Sequence, residues 1–120
     1  MEQAYSEFIT FLRGFVHRVV LVAHNGSNFD FPLLVRDMEQ LGLLAPLRAV
    51  VAGTVDSIPV FRSKLPHWGQ YEFGLANLAN NLNVSGHGAH DALRDAEILE
   101  SLCVKLHVTI NDLWCHLHTL

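Results

Sequence analysis

The sequence predicts an α/β fold built on parallel strands, and three observations carry that prediction. The run Val19-Val20-Leu21-Val22-Ala23-His24 is a continuous apolar, β-branched stretch with the length of a buried strand. The segments flanking it repeat apolar residues at helical spacing instead. A second strand signal, around Thr54-Val55-Asp56-Ser57, returns after the intervening helix, and this alternation is the mark of an α/β chain.

Taken in order, Ser6 to Val16 reads as an amphipathic helix with Phe8, Phe11, Leu12 and Phe15 on one stripe. After the first strand, Asn25-Gly26-Ser27-Asn28 is a turn leading through Asp30 into a second helix with Pro32 in its first turn. Leu33, Leu34, Met38 and Leu41 form that helix's apolar stripe, and Gly42 ends it. The stretch from Ala49 to Val60 holds the second strand, and Arg62 to Gln70, with Pro66 and Gly69, reads as a loop. A helix over about Glu72 to Asn83 presents Leu75, Leu78, Ala79 and Leu82. The longest helix spans about Asp91 to Leu106, with Leu99, Leu102, Cys103 and Leu106 facing inward. Thr109 with Asp112 three residues on forms a capping arrangement for a short last helix.

At 120 residues this is a single small domain, spanning 1–120, at the size where one core just supports itself. Half of the residues are hydrophobic and 17% are charged, which fits either a rich core or an apolar face that meets something else. Two parallel strands bury neither their edges nor two faces, so the pattern expects more strands than it contains. On that basis the chain alone is expected to be loosely folded or poorly soluble. The net charge of −4 argues against a module that holds nucleic acid mainly by neutralising phosphates. It is neutral for a metal-dependent nuclease, whose acidic cluster binds cations that bind phosphate in turn. Cys103 and Cys115 read as small core residues in a reducing compartment rather than as a disulfide. With no secretory signal and no apolar run near membrane-spanning length, a soluble intracellular protein is expected.

Two constellations carry chemistry. His24-Asn25-Gly26-Ser27-Asn28-Phe29-Asp30 stands at the carboxyl end of a strand, the edge where open α/β sheets place ligands. Asp30 begins a helix, whose dipole favours the ionised carboxylate; its plain structural reading is a capping residue. The second, Gly86-His87-Gly88-Ala89-His90-Asp91-Ala92-Leu93-Arg94-Asp95, is a glycine-bearing lead-in to a helix. A histidine on such an approach can meet a reacting water, while Asp95 on the helix can hold a cation. Asp91 and Glu97 read as a solvated helix face.

Together the two runs resemble known motifs. Ala23-His24-Asn25-Gly26, followed by Phe29-Asp30-Phe31-Pro32-Leu33-Leu34, is similar to the second motif of DEDDh exonucleases, in particular the TREX group. His90-Asp91-Ala92-Leu93-Arg94-Asp95-Ala96 resembles their third motif, and Val55-Asp56-Ser57 and Phe73-Gly74-Leu75 match the same group. The exonuclease-like carboxy-terminal domains of the promyelocytic leukaemia type are similar as well. The resemblance implies a ribonuclease H-like (DnaQ-like exonuclease) fold, retaining two parallel strands and their flanking helices. It implies a two-metal 3′–5′ exonuclease in which Asp30 and Asp95 ligate magnesium or manganese and His90 is the general base. Asn25 and Phe29 would lie by the terminal nucleotide. The implied partner is a nucleic-acid 3′ end, DNA ahead of RNA, and the implied address is nucleus or cytoplasm.

The chain departs from the family at its first motif. The Asp-x-Glu pair on the first strand of a three-stranded antiparallel sheet has no counterpart between Met1 and Val20, since Glu2 and Glu7 lack the spacing. Those carboxylates bridge the two metals in the family, so the metal site is expected to be incomplete. Three readings follow: an exonuclease domain whose amino-terminal part lies outside this sequence, a non-catalytic interaction or targeting module, or a nucleic-acid-binding remnant. The resemblance to the TREX group also implies a homodimer through a sheet edge, and the open strand edge leaves room for a partner chain that supplies the missing strands.

Overall fold

A computed structural model describes residues 2–69, 73–85 and 91–120. Their order is α1 (Glu2–Arg13), β1 (Val19–Ala23), α2 (Asp30–Gln40), α3 (Leu44–Val50), β2 (Val51–Asp56), α4 (Ser57–Lys64), α5 (Leu75–Asn81), α6 (Ala92–Lys105) and α7 (Ile110–Trp114). The strands β1 and β2 pair in parallel as a two-stranded sheet, joined through α2 and α3. The chain divides into two compact units, one of residues up to Val55 together with Leu117–Leu120, the other Asp56–His116. No helix among the described residues is long and apolar enough to cross a membrane.

In the first unit, Ile9 and Leu12 of α1, Met38 of α2, Leu47 of α3 and Val51 of β2 form the core. Burying each such side chain contributes roughly 1.5–3 kcal/mol. Of the expected α1 stripe, Leu12 is buried and Phe8 packs on the core, but Phe11 is 64% and Phe15 52% exposed, and Ile9 is buried in addition. Those two rings pack on each other edge-to-face instead, 5.5 Å apart. The helix also starts earlier, and by Phe15 the chain has turned, with the Phe15 amide donating to the Leu12 carbonyl at 3.2 Å. On the next helix Met38 is fully buried as expected, but Leu33 is 48% exposed.

The two strands differ in burial. Every residue of β1 is half-buried, where a buried strand was expected, whereas β2 is buried at five of its six residues. β2 is covered on its outer edge: Thr54 and His118 exchange backbone hydrogen bonds at 2.8 and 2.9 Å in an antiparallel bridge. Gly53 makes the close approach possible, because a Cβ there would stand 2.6 Å from the His118 carbonyl oxygen. Arg48 Nε donates to the Leu120 carbonyl at 3.1 Å, and Leu120 packs on the core. Among the described residues β1 pairs with β2 alone.

The second unit closes around Phe61, Phe73, Leu78, Ala79, Ile98 and Leu102. Helices α5 and α6 pack on each other here, and the expected inward residues Leu75, Leu82, Leu99, Cys103 and Leu106 line the core's margin. α4 replaces the expected end of the strand and start of the loop. Asp56 begins it by accepting a hydrogen bond from the Ile58 amide at 3.0 Å. Pro32, Pro46 and Pro59 each sit third in α2, α3 and α4, within the first turn, where a missing N–H leaves no intrahelical bond unmade.

The capping arrangement expected before α7 is present, with the Asp112 amide donating to Thr109 Oγ1 at 3.2 Å and the Thr109 amide to Asp112 Oδ2 at 2.8 Å. Lys64 Nζ reaches Asp112 Oδ2 at 2.8 Å. The lysine first, then the Thr109 amide, pull the Asp112 carboxyl down from 3.8 to about 2. A depressed carboxylate stabilises the fold above its unfolded value and loses that contribution as pH falls through the folded one. We therefore expect the pair's contribution to fade between about pH 4 and pH 2. In an acid titration followed by circular dichroism, Lys64→Met should unfold at higher pH than the parent; coincident midpoints would show that the pair adds nothing.

Candidate functional site

The turn after β1 brings three of the sequence-predicted residues together. Asn25 takes a left-handed conformation, φ 59°, which asparagine tolerates better than most residues. Its side-chain oxygen accepts from Asn28 Nδ2 at 2.8 Å, and the Asn28 amide donates to the Asn25 carbonyl at 3.2 Å. The Phe31 amide then donates to the Gly26 carbonyl at 2.9 Å, folding the Phe31 ring over Gly26. A Cβ at Gly26 would come within 2.5 Å of that ring, so the position requires glycine.

This tight turn leaves Phe29 and Asp30 outward. Phe29 is 65% exposed, an open aromatic face beside the turn. Asp30 is exposed as the first residue of α2. Phe29, not Asp30, occupies the cap position, and no side chain caps α2 there. The capping reading of Asp30 thus gives way to a carboxylate held at a helix start and facing solvent. A cavity of about 480 Å³, lined by Tyr5, Phe8, Phe31, Leu33 and Leu34 among others, opens beside it with Asp30 on the rim.

Asp95 lies in the first turn of α6, in the second unit, half-buried, its amide donating to the Asp91 carbonyl at 2.8 Å. Asp91 and Glu97 are both exposed, as a solvated face requires, and Asp91 in addition caps this helix: its Oδ1 accepts from the Leu93 and Arg94 amides, both at 3.1 Å. Glu97 also has a partner, Arg94 Nη1 at 3.5 Å. His90, with Gly86, His87, Gly88 and Ala89, lies outside the described residues.

Carboxylate oxygens such as those of Asp30 and Asp95 suit a hard divalent cation. Exposure leaves Asp30 open to a hydrated ion. Among the described residues no three His, Cys, Asp or Glu side chains gather into a metal cluster. The fit is therefore one of donor chemistry at two separate positions.

Sequence reasoning missed the roles of three further polar residues. Asp56 is 6% exposed and caps α4, a role signalled by an aspartate directly before Ser57-Ile58-Pro59. Asp37 Oδ2 accepts from the Tyr5 hydroxyl at 2.8 Å, and this bond holds the tyrosine's proton above its ordinary range. Arg94 reaches the Ser85 carbonyl, a contact that no local periodicity announces.

A family model described as Exonuclease matches residues 2–102. The chain is 30% identical over 105 residues to DNA polymerase III subunit epsilon of Treponema pallidum (strain Nichols), covering 88% of this chain and 43% of that protein. It is 31% identical over 105 residues to Three prime repair exonuclease 2 of Mus musculus, covering 80% of this chain and 44% of that protein. A third relative, Exonuclease DPD1, chloroplastic/mitochondrial, of Arabidopsis thaliana, is 28% identical over 109 residues, covering 84% of this chain and 34% of that protein. The chain spans less than half the length of each of these relatives. These matches define a nuclease-type domain of the ribonuclease H-like α/β class. The chain belongs to the exonuclease family, among its DnaQ-like members.

Proposed function

We propose that this chain contributes the second and third motifs of a metal-dependent 3′–5′ exonuclease domain acting on nucleic-acid 3′ ends, DNA ahead of RNA. The observation that carries the reading is the Asn25–Asp30 turn. It sets an exposed carboxylate and an exposed aromatic ring side by side at the carboxyl end of a parallel strand, in a chain of the exonuclease family. Asp30 and Asp95 would hold magnesium or manganese, whose chemistry is to stabilise charge on the attacking and leaving oxygens. His90 takes the proton of the attacking water. Phe29 would offer its ring to the terminal base, and Asn25, held by Asn28, would lie by the same terminal nucleotide. The domain is taken as 1–120, one part of an exonuclease domain, working in the nucleus or cytoplasm. The half-buried β1 is where a second copy or a partner chain would add strands.

A second reading, a non-catalytic interaction module, draws on the exposed Phe11, Phe15 and Val16 at the end of α1. A 5′-labelled single-stranded oligonucleotide incubated with the protein tests the nuclease reading. Stepwise shortening from the 3′ end with magnesium or manganese, abolished by excess chelator, is the result expected of the nuclease. Intact oligonucleotide in the presence of folded protein would overturn trimming by this chain on its own.

A further inference from the structure

We propose that the bend between α1 and β1 is a docking site for the backbone of single-stranded nucleic acid, with Arg13, His17 and Arg18 taking a phosphate and Phe15 a base. From Phe8 to Phe29 the chain carries no acidic residue, although its net charge is −4. Arg13 and Arg18 fall in that interval, and both line one cavity together with His17. Leu12, Ala49 and Val50 form its apolar wall, and among the described residues no carboxylate lines it. Its volume of about 220 Å³ lies below the roughly 300–1,000 Å³ of pockets that enclose drug-sized molecules. It suits a smaller group, such as a phosphodiester.

Arg18 is set in place. Its Nη2 donates to the Val51 carbonyl, at the head of β2, at 3.2 Å. That bond uses one of five N–H groups and leaves the rest of a rigid fork for an anion's oxygens. Arg13 stands in the last turn of α1, where its plain role is to complement the helix's carboxyl end. The carboxyl ends of α1 and α3 each carry roughly half a negative charge, however, and two guanidiniums exceed their sum. Beside the cavity Phe11 and Phe15 meet at 86°, each more than half exposed. Cations for the phosphates with an aromatic face for the bases is the combination that holds single strands without regard to sequence. Basic and aromatic residues also serve lipid surfaces, but the small polar cavity and the exonuclease family favour a nucleic-acid strand.

β1 separates this bend from the Asn25–Asp30 turn by five residues, about 17 Å. At roughly 3.4 Å per stacked nucleotide, a strand ending at Asp30 meets the bend about five nucleotides upstream. That placement rests on the nuclease reading, while the docking itself needs no metal.

Fluorescence anisotropy of a labelled oligothymidine, in excess chelator so that nothing is trimmed, reads the docking directly. Arg13→Glu and Phe15→Ala are each expected to weaken binding by about tenfold, one through the phosphate and the other through a lost stack. Arg13→Gln should reduce the slope of log affinity against log salt by about 0.7, the share of one phosphate on a single strand. Lys105→Glu, at the exposed end of α6, alters the net charge as Arg13→Glu does and should bind like the parent. Arg13 and Phe15 are exposed, so both variants should keep the parent's circular dichroism. Parental affinity in Arg13→Glu and Phe15→Ala would overturn the inference, as would a parent that binds no oligonucleotide. An equal loss in Lys105→Glu would overturn it too, by reducing the effect to net charge. Binding to phosphatidylserine vesicles that Phe15→Ala abolishes, with oligonucleotide affinity unchanged, would assign the patch to a lipid surface instead. Trimming with manganese is scored separately. A parent that binds but shortens nothing ends the nuclease reading and leaves the docking site standing. If the parent trims, Arg13→Glu should raise KM at unchanged kcat, and an unchanged KM would overturn the docking role alone.

Discussion

Replacing His90 with alanine is expected to slow release of 3′-terminal nucleotides by about 10²–10⁴-fold, the range of a lost general base. Asp95→Asn is expected to lower the rate at least as far, by a different route. The first change removes a proton acceptor and spares the cation donors. The second keeps the size of the side chain and takes away its charge, so the affinity for manganese falls with the rate. Rates from a 5′-labelled oligonucleotide, set beside manganese binding by calorimetry, separate the two roles. His90→Ala should bind manganese like the parent while Asp95→Asn binds it less tightly. Equal loss of manganese affinity in both would place His90 among the ligands and deny it the part of base. Neither change should unfold the protein, since Asp95 is only half-buried and α6 is capped independently by Asp91.

Phe61→Ala is expected to destabilise the second unit by about 3–5 kcal/mol, the cost of emptying a ring's volume in a closed core. Phe61 is fully buried, and Phe73, Leu78, Ile98 and Leu102 surround it. Small domains hold roughly 5–15 kcal/mol in total, so the loss is a large share of the whole. A matched change on the surface sets the scale: Phe11, 64% exposed, should cost less than about 1 kcal/mol on truncation, mainly the contact with Phe15. Urea denaturation of both variants measures the difference, and comparable midpoints would mean that the core does not close around Phe61. The effect should reach the site as well, because Ile98 and Leu102 fasten into this core the same helix that carries Asp95.

How far the sequence foretold the structure varied with the physics in charge. The Thr109–Asp112 box was legible because capping is local chemistry between side chains and amides three residues apart. The Leu78, Ala79 and Leu102 positions followed from helical spacing. α3 went unseen because seven residues beginning Leu44-Ala45-Pro46 are too few to show a period. The sequence over α4 reads as strand and loop because Ile58-Pro59-Val60-Phe61 is a short apolar run, which periodicity cannot assign. On α1 the stripe holds at Phe8 and Leu12 but not at Phe11 and Phe15, because packing on α3 takes Ile9 in preference to those rings. At the site, the turn at Asn25–Asp30 was readable as a motif. The hold of Asn28 on Asn25 and of Arg94 on Ser85 was not, since side-chain partners are chosen by the folded geometry.

The pairing of His118 with Thr54 has a bearing on how this molecule comes into being. Translation delivers β1 and β2 first, and the residues that cover the outer edge of β2 arrive only after the whole of Asp56–His116 has been made. Until then Thr54 presents a bare amide and carbonyl to whatever strand is near. Closing a contact 64 residues apart in sequence is also slow compared with forming the helices between. The nascent first unit thus passes through an interval as a sheet with an unguarded flank, and chaperone engagement during synthesis should concentrate there.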